Sequence, residues 1–407
     1  MATPAFNPSV LTRRGVLAAA ASTLFLAACG QPGQRPEDGP ASGAPDDDEL
    51  VVGASLELTG RGAALGVLQQ RALEITAETV NVAGFPVGKL RRTVRLEIRD
   101  NGGDPAQAAR QATELIERTQ VHALVGGTLA ETSMAIVEVA QGLRTPFLSL
   151  AAGDGIALPL AERTFIFKLT PDAADVARRL AQLLGTLEIR RVALLAADGL
   201  HGDSGVRAVR AALPRADVDL ARTVRLPADG QGLSGAARRA AAGKPDGVIV
   251  WGTAPDSGAA ARELRRAGYR GPLFFDAGAV ADDTLARPNA AAVEGAYVVH
   301  PACLTSSPLA AANSGEAARK EFANRYLQRH DNFTGFAPYA SDALQLLVAA
   351  ARMATNVDRG RLRAFLQAQV VEGMAGAYAF TPTRHGGMEP DSLGVYQIHQ
   401  GTWERYA

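Results

Sequence analysis

Imidazole, carboxylate and hydroxyl side chains fall side by side in His201-Gly202-Asp203-Ser204-Gly205, the groups that nucleophilic acyl transfer requires. Adjacent residues make a poor catalytic unit, because the imidazole must reach the serine from across the fold with its own orienting carboxylate. The segment lies between an apolar run and an amphipathic one, a strand-to-helix passage where Asp203-Ser204 suit a helix cap. His122, His201, His300, His330, His385 and His399 show no metal-ligand spacing. The chain also lacks His-Glu-x-x-His, Cys-x-x-Cys, a Walker A loop and Gly-x-Ser-x-Gly, so zinc, redox, nucleotide and hydrolase chemistry miss their required groups. Gly60-Arg61-Gly62-Ala63-Ala64-Leu65-Gly66 follows a strand and opens a helix, but its glycine spacing is one residue too long for a dinucleotide fingerprint. The expectation is a protein without a cofactor and without catalysis.

A different chemistry is available at Cys29. Leu26-Ala27-Ala28-Cys29-Gly30 follows the basic Thr12-Arg13-Arg14 and an apolar run over 15–28, which is too short for a permanent span of a bilayer core of about 30 Å. The arrangement resembles a bacterial lipoprotein box: a signal peptide over 1–28, compatible with twin-arginine or general export, and a diacylated Cys29 as the new N-terminus. Each buried acyl CH₂ contributes about 0.8 kcal/mol, so two chains hold a domain on a membrane surface. Residues 29–48, rich in Gly, Pro and Asp, read as a flexible tether. The expected location is the cell membrane, lipid-anchored on the extracytoplasmic side. Cys303 is the other cysteine, so acylation of Cys29 leaves no intrachain disulfide and stability must come from a core.

The composition permits one: 47% of the 407 residues are hydrophobic, ample for two ordinary domains. Charge is balanced at 42 basic against 42 acidic residues, or 40 against 42 once Arg13 and Arg14 leave with the leader. With no basic block either, nucleic acid is not an expected partner.

The elements that must position these residues alternate short apolar runs with amphipathic stretches, the pattern of βα units in a parallel sheet. Strands are expected at 50–54, 94–98, 123–126 and 146–150, with helices at 65–80, 105–118 and 131–141; Asp104-Pro105 suits an N-cap followed by Pro at the first helical position. The pattern restarts after Lys168-Leu169-Thr170-Pro171-Asp172, with strands at 191–195, 247–251 and 272–275 and helices at 173–187, 204–213 and 257–267, as far as Tyr297-Val298-Val299-His300. Longer helices at 316–329, 341–353 and 359–369 follow, and strands at 377–380 and 394–398 close the chain. The economical reading is α/β with two doubly wound, Rossmann-like lobes.

Gly53-Ala54-Ser55-Leu56-Glu57-Leu58-Thr59-Gly60, Ile98-Arg99-Asp100-Asn101-Gly102-Gly103-Asp104-Pro105, Val192-Ala193-Leu194-Leu195 with His201-Gly202-Asp203, Tyr339-Ala340-Ser341-Asp342-Ala343 and Val395-Tyr396-Gln397-Ile398 resemble, in order and spacing, the type I periplasmic-binding-protein family. Within it the likeness is to solute receptors of branched-chain amino-acid-type ABC importers, over roughly 50–403. The resemblance implies an N-terminal lobe of 49–170 plus 302–374, a C-terminal lobe of 171–301 plus 375–407, and a three-segment hinge near 168–172, 299–303 and 373–377. It implies a small solute (amino acid, amide or related carboxylate) held between the lobes, an ABC transporter permease that recognises the closed form, and no need for more than a monomer. Carried over by position, the solute-carboxylate contacts fall on Ala130 and Ala151-Ala152-Gly153, beside Thr128 and Thr132. The ammonium-binding acid aligns with Gly278 and has its nearest carboxylate at Asp276, flanking contacts fall near Leu65 and His201, and Thr253 joins the set after the 247–251 strand. Hydroxyls and an acid usual in the family are missing from these positions, which puts a standard branched-chain amino acid in doubt. A non-transport sensor on the same bilobal module remains the alternative.

Overall fold

The computed structural model describes residues 48–227, 231–301, 314–330, 333, 335–368 and 370–406. The leader, Cys29, the tether up to residue 47 and Cys303 lie outside the described residues.

The strands are β1 (Glu49–Leu56), β2 (Phe85–Val87), β3 (Leu90–Asp100), β4 (Ala123–Gly126), β5 (Phe147–Ser149), β6 (Ile166–Lys168), β7 (Arg191–Ala197), β8 (Asp219–Leu226), β9 (Gly247–Trp251), β10 (Leu273–Phe275), β11 (Tyr297–Pro301), β12 (Val370–Glu372), β13 (Ala377–Ala379), β14 (Leu393–His399) and β15 (Thr402–Arg405). The helices longer than a single turn are α1 (Ala63–Ala83), α2 (Pro105–Glu117), α3 (Ala130–Gly142), α4 (Ala173–Thr186), α5 (Leu200–Ala212), α6 (Leu233–Ala241), α7 (Asp256–Arg266), α8 (Arg287–Val293), α9 (Ser314–His330), α10 (Ala337–Ala354) and α11 (Arg359–Leu366).

Two sheets result. The first runs β2-β3-β1-β4-β5-β6, parallel apart from the β2 hairpin, and the second runs β15-β14-β11-β10-β9-β7-β8, with antiparallel β14 and β15 on one edge. Helices cover both faces, as parallel sheets require. Within β7, Val192, Leu194 and Ala196 enter one core cluster while Ala193 and Leu195 enter another, the two-residue alternation of a strand buried on both sides. In β1 and β4, Val51 and Leu124 face one cluster and Leu50, Val52, Ala123 and Val125 the other.

The chain passes between the sheets after β6, after β11 and again before β14, where the β12–β13 hairpin intervenes. Asp104 caps α2 by accepting from the Ala106 and Gln107 N–H groups, with Pro105 at the first helical position. The edge strands β2, β6 and β8 were not expected from the apolar pattern. In β8 only Val224 and Leu226 are buried, and β6 contains the charged but buried Lys168.

Candidate functional site

In an open parallel sheet, ligands bind beyond the carboxyl ends of the strands, where the winding reverses. In the first sheet that point lies between β3, β1 and β4. Glu57, the residue after β1, is fully buried, and its carboxylate accepts the Thr128 N–H at 2.8 Å, the Leu129 N–H at 3.4 Å and the Thr132 hydroxyl. The N-cap residue of α3, Leu129, has no capping side chain; Glu57 supplies the anion from another strand, where the helix dipole favours it. The Thr128 hydroxyl donates to Gln69 Oε1 at 2.7 Å. The donors expected to meet a solute carboxylate near Thr128 and Thr132 are thus engaged by the chain's own acid. A second carboxylate about 4 Å away would be repelled by about 4 kcal/mol at an effective dielectric of about 20, more than the roughly 2 kcal/mol a helix end returns at best.

The second reversal lies between β8, β7 and β9. There α5 begins at Leu200, four residues earlier than the sequence pattern suggests, with Gly199 in the N-cap position at φ 90°. Asp203-Ser204 therefore do not cap the helix: Asp203 pairs with Arg225, and the Ser204 hydroxyl donates to the Leu200 carbonyl inside the first turn. The early start carries His201 over the strand ends. Its Nε2 lies 3.0 Å from Asp276 Oδ2, and Asp276, 2% exposed, also accepts the Gly252 N–H at 2.8 Å and the Gly278 N–H at 2.9 Å. Asp276 follows β10 and caps the single turn 277–279. Trp251, at the end of β9, sets its ring 6.0 Å from the His201 ring.

The two strand-end regions face each other across a narrow cleft of about 20 Å³, lined by Ala152, Gly153, Asp154, Thr170, Pro171, Ala173, Val176, His201, Trp251, Asp276, Ala277, Gly278, Phe336 and Tyr339. That is room for a water-sized guest only, so the lobes are drawn together here and admit an organic solute only by parting. Direct contacts hold them: the Asp154 N–H donates to Ser204 Oγ at 3.2 Å, and Arg61, just before α1, pairs with Asp256 at the start of α7. Ala152, Gly153, His201, Asp276 and Gly278 therefore meet at one place. Leu65 does not, being fully buried in the core, and neither do Thr128, Ala130, Ala151 and Thr253. Ala151 is spoken for, its N–H on Ser149 Oγ and its carbonyl taking the Thr170 hydroxyl. Sequence reasoning missed Trp251, Asp154, Phe336 and Tyr339 as lining residues. Trp251 carried a signal, as an aromatic at the end of an apolar strand; Phe336 arrives from a distant segment and carried none.

Around the crossings, polar groups are buried. Lys168 Nζ lies 2.9 Å from Asp172, and donates to the Thr170 and Pro171 carbonyls at 2.7 and 3.0 Å. Burial works against the charge of Asp172, but the Lys168 ammonium and then Arg384 overcome it and hold the carboxyl below its ordinary value. On α10, Asp342 accepts the Met374 and Ala375 N–H groups, yet complete burial pushes it up to about 7. His300, at the end of β11, is fully buried, and desolvation pushes it down to about 3. Among the described residues no cluster of His, Cys, Asp or Glu could hold a metal ion, and no helix is long and apolar enough to cross a membrane.

Comparison with known proteins agrees with this architecture. A family model for periplasmic binding proteins matches residues 49–402. An extracellular ligand-binding receptor from Rhodopseudomonas palustris superposes with a TM-score of 0.78 at 20% identity, over 88% of this chain and 99% of that one. The branched-chain amino acid transporter substrate-binding protein LivJ of Streptococcus pneumoniae, in complex with isoleucine, gives 0.75 at 20% identity over 88% and 99%. A solute-binding protein of an ABC transporter from Rhodopseudomonas palustris, in complex with 3,4-dihydroxybenzoic acid, gives 0.75 at 18% identity over 88% and 97%. Two parallel-sheet lobes, strand ends opposed across a cleft, and a family match over nearly all the described residues lead to one assignment: the chain belongs to the periplasmic binding protein family, with the type I fold.

Proposed function

We propose that this protein is an extracytoplasmic solute receptor of an ABC importer, anchored through an acylated Cys29, that captures a small organic solute between its lobes and presents the closed form to a membrane permease. The observation that carries the reading is the cleft itself: residues from both lobes line it, and the buried Asp276–His201 pair reaches into it from the second lobe. A guest touched by both lobes stabilises only the closed arrangement, so its binding energy becomes a shift in the open-to-closed population. Ala152 and Gly153 on one side, and Asp276, His201 and Gly278 on the other, are the residues we assign to the solute.

No bond chemistry is needed. The Ser204 hydroxyl is held by its own helix and by the Asp154 N–H, and the His201 Nε2 faces Asp276 rather than a nucleophile. The test is a thermal-shift screen of amino acids, amides, amines and aromatic acids, including isoleucine and 3,4-dihydroxybenzoic acid, the ligands of two structural relatives. A ligand at 100 times its dissociation constant raises apparent stability by about 2.7 kcal/mol, and small-angle scattering should show the particle contract with it. A ligand that stabilises without contraction, or turnover that Ser204→Ala abolishes, would remove the reading.

A further inference from the structure

The geometry points to a solute recognised through hydrogen-bond donors, an amidinium, ammonium or amide head, because the chain fills its own anion seat with Glu57. The inference deepens the receptor reading and rests on it. At the first reversal point, where two N–H groups and a hydroxyl converge, the Glu57 carboxylate already receives all three. It is fully buried and comes from a different element than the helix it caps, so it is a fixed part of the lobe. Glu131, in the first turn of α3, adds a second acid beside the same helix end. A solute carboxylate placed there meets two like charges and few uncommitted donors.

The cleft beside it has the opposite preference. Asp154 and Asp276 line it and, among the described residues, no Lys or Arg does, the nearest cation being the buried Lys168 ammonium 3.7 Å from Asp154 Oδ1. A carboxylate has about four acceptor positions, and Asp276 uses three of them, on Gly252, Gly278 and His201. The Asp276 carboxylate engages His201 Nε2 and holds the ring in place, and Nδ1 makes no hydrogen bond among the described residues. Asp154 contributes a carboxylate from the facing lobe; its Oδ1 takes the Ala173 N–H at 3.0 Å and lies 3.7 Å from Lys168 Nζ, which leaves Oδ2 for a guest. Trp251, Phe336 and Tyr339 give the guest an apolar and aromatic wall. Acceptors on two sides with an aromatic wall suit a flat or compact head that donates.

Benzamidine, benzylamine, benzamide and benzoate share one ring and differ in the head, and they separate the possibilities in titration calorimetry on the mature protein. The expected result is binding of at least one nitrogen head at least tenfold tighter than benzoate, the charged and neutral heads telling a cation receptor from an amide receptor. Glu57→Ala should then gain at least tenfold in benzoate affinity by opening the seat; if that variant does not fold, the wild-type comparison alone decides. Benzoate binding as tightly as any nitrogen head would overturn the inference while leaving the receptor reading intact. Silence from all four heads would overturn it too, and only silence across the whole solute panel would remove the receptor reading with it.

Discussion

Asp276 shows how one side chain can be both scaffold and contact. Its carboxylate ties the ends of β9 and β10 together through the Gly252 and Gly278 N–H groups and still faces the cleft with His201. Replacing it with Ala leaves those N–H groups without their acceptor, a cost of about 1–3 kcal/mol for each group that stays buried and unpaired. Asp276→Ala should therefore lower the melting temperature as well as ligand affinity, while His201→Ala should reduce affinity at least tenfold with a smaller stability loss; calorimetry and thermal unfolding of both variants check this. At Cys29 the expectation is chemical: Cys29→Ala should abolish palmitate incorporation and move the protein from the membrane to the soluble fraction. The Asp276 position was legible in the sequence as the acid nearest the expected one. Its hydrogen bonds were not, because they come from loops after other strands.

At the scale of elements, the two lobes repeat one device. A Cβ on Gly66 would lie 2.0 Å from the Glu57 carbonyl oxygen, and a Cβ on Gly202 would lie 1.7 Å from that of Ala197. In each case the first turn of a helix presses on the end of the preceding strand, and the obstacle is backbone, which cannot move aside like a side chain. Gly66 thus serves helix–strand packing in a turn whose spacing does not fit a dinucleotide. Gly202→Ala should cost about 1–3 kcal/mol or more, as overpacking does, and should weaken ligand binding because α5 carries His201; urea midpoints and calorimetry measure the two effects. The strands β4 and β9 coincide with the apolar runs 123–126 and 247–251, since central parallel strands are apolar throughout. The start of α5 was misplaced because its first turn, Leu200-His201-Gly202-Asp203, has no capping side chain and resembles a loop.

For the whole molecule, closure and protonation are the properties that single elements do not have. Arg61 and Asp256 join the lobes but are partly exposed, at 44% and 23%, so the pair contributes at most about 1 kcal/mol and weakens with salt. Asp256→Asn should shift the ligand-free population toward open by no more than about fivefold, read by small-angle scattering at low and high ionic strength. Stability should also depend on pH in a defined sense. His122 and His300 are depressed by burial from 6.5 to about 4 and about 3, so unfolding takes up protons below pH 6.5 and their stabilisation is lost as pH falls toward those values. Asp342 is raised from 3.8 to about 7 by burial, so its contribution is present at low pH and lost as pH rises through about 7. The two histidines outweigh the one acid, giving a maximum near pH 6 to 7. Asp342→Asn should steepen the acid-side loss and flatten the decline above pH 6, as measured by urea unfolding across that range.

The amino-acid order by itself determined the α/β class, the restart after residue 172 and most strands and helices, and it pointed to an acid and an imidazole in the second lobe. The class, the restart and the elements follow from apolar periodicity, which is local, and the acid and imidazole from the family resemblance. Only the tertiary structure decided that Glu57 meets Thr128 and Thr132, that Leu65 belongs to the core rather than the cleft, and that Phe336 and Tyr339 complete the wall. Such pairings join segments tens to hundreds of residues apart, and which of them form depends on strand order and on how far the two lobes close, neither of which a local pattern encodes.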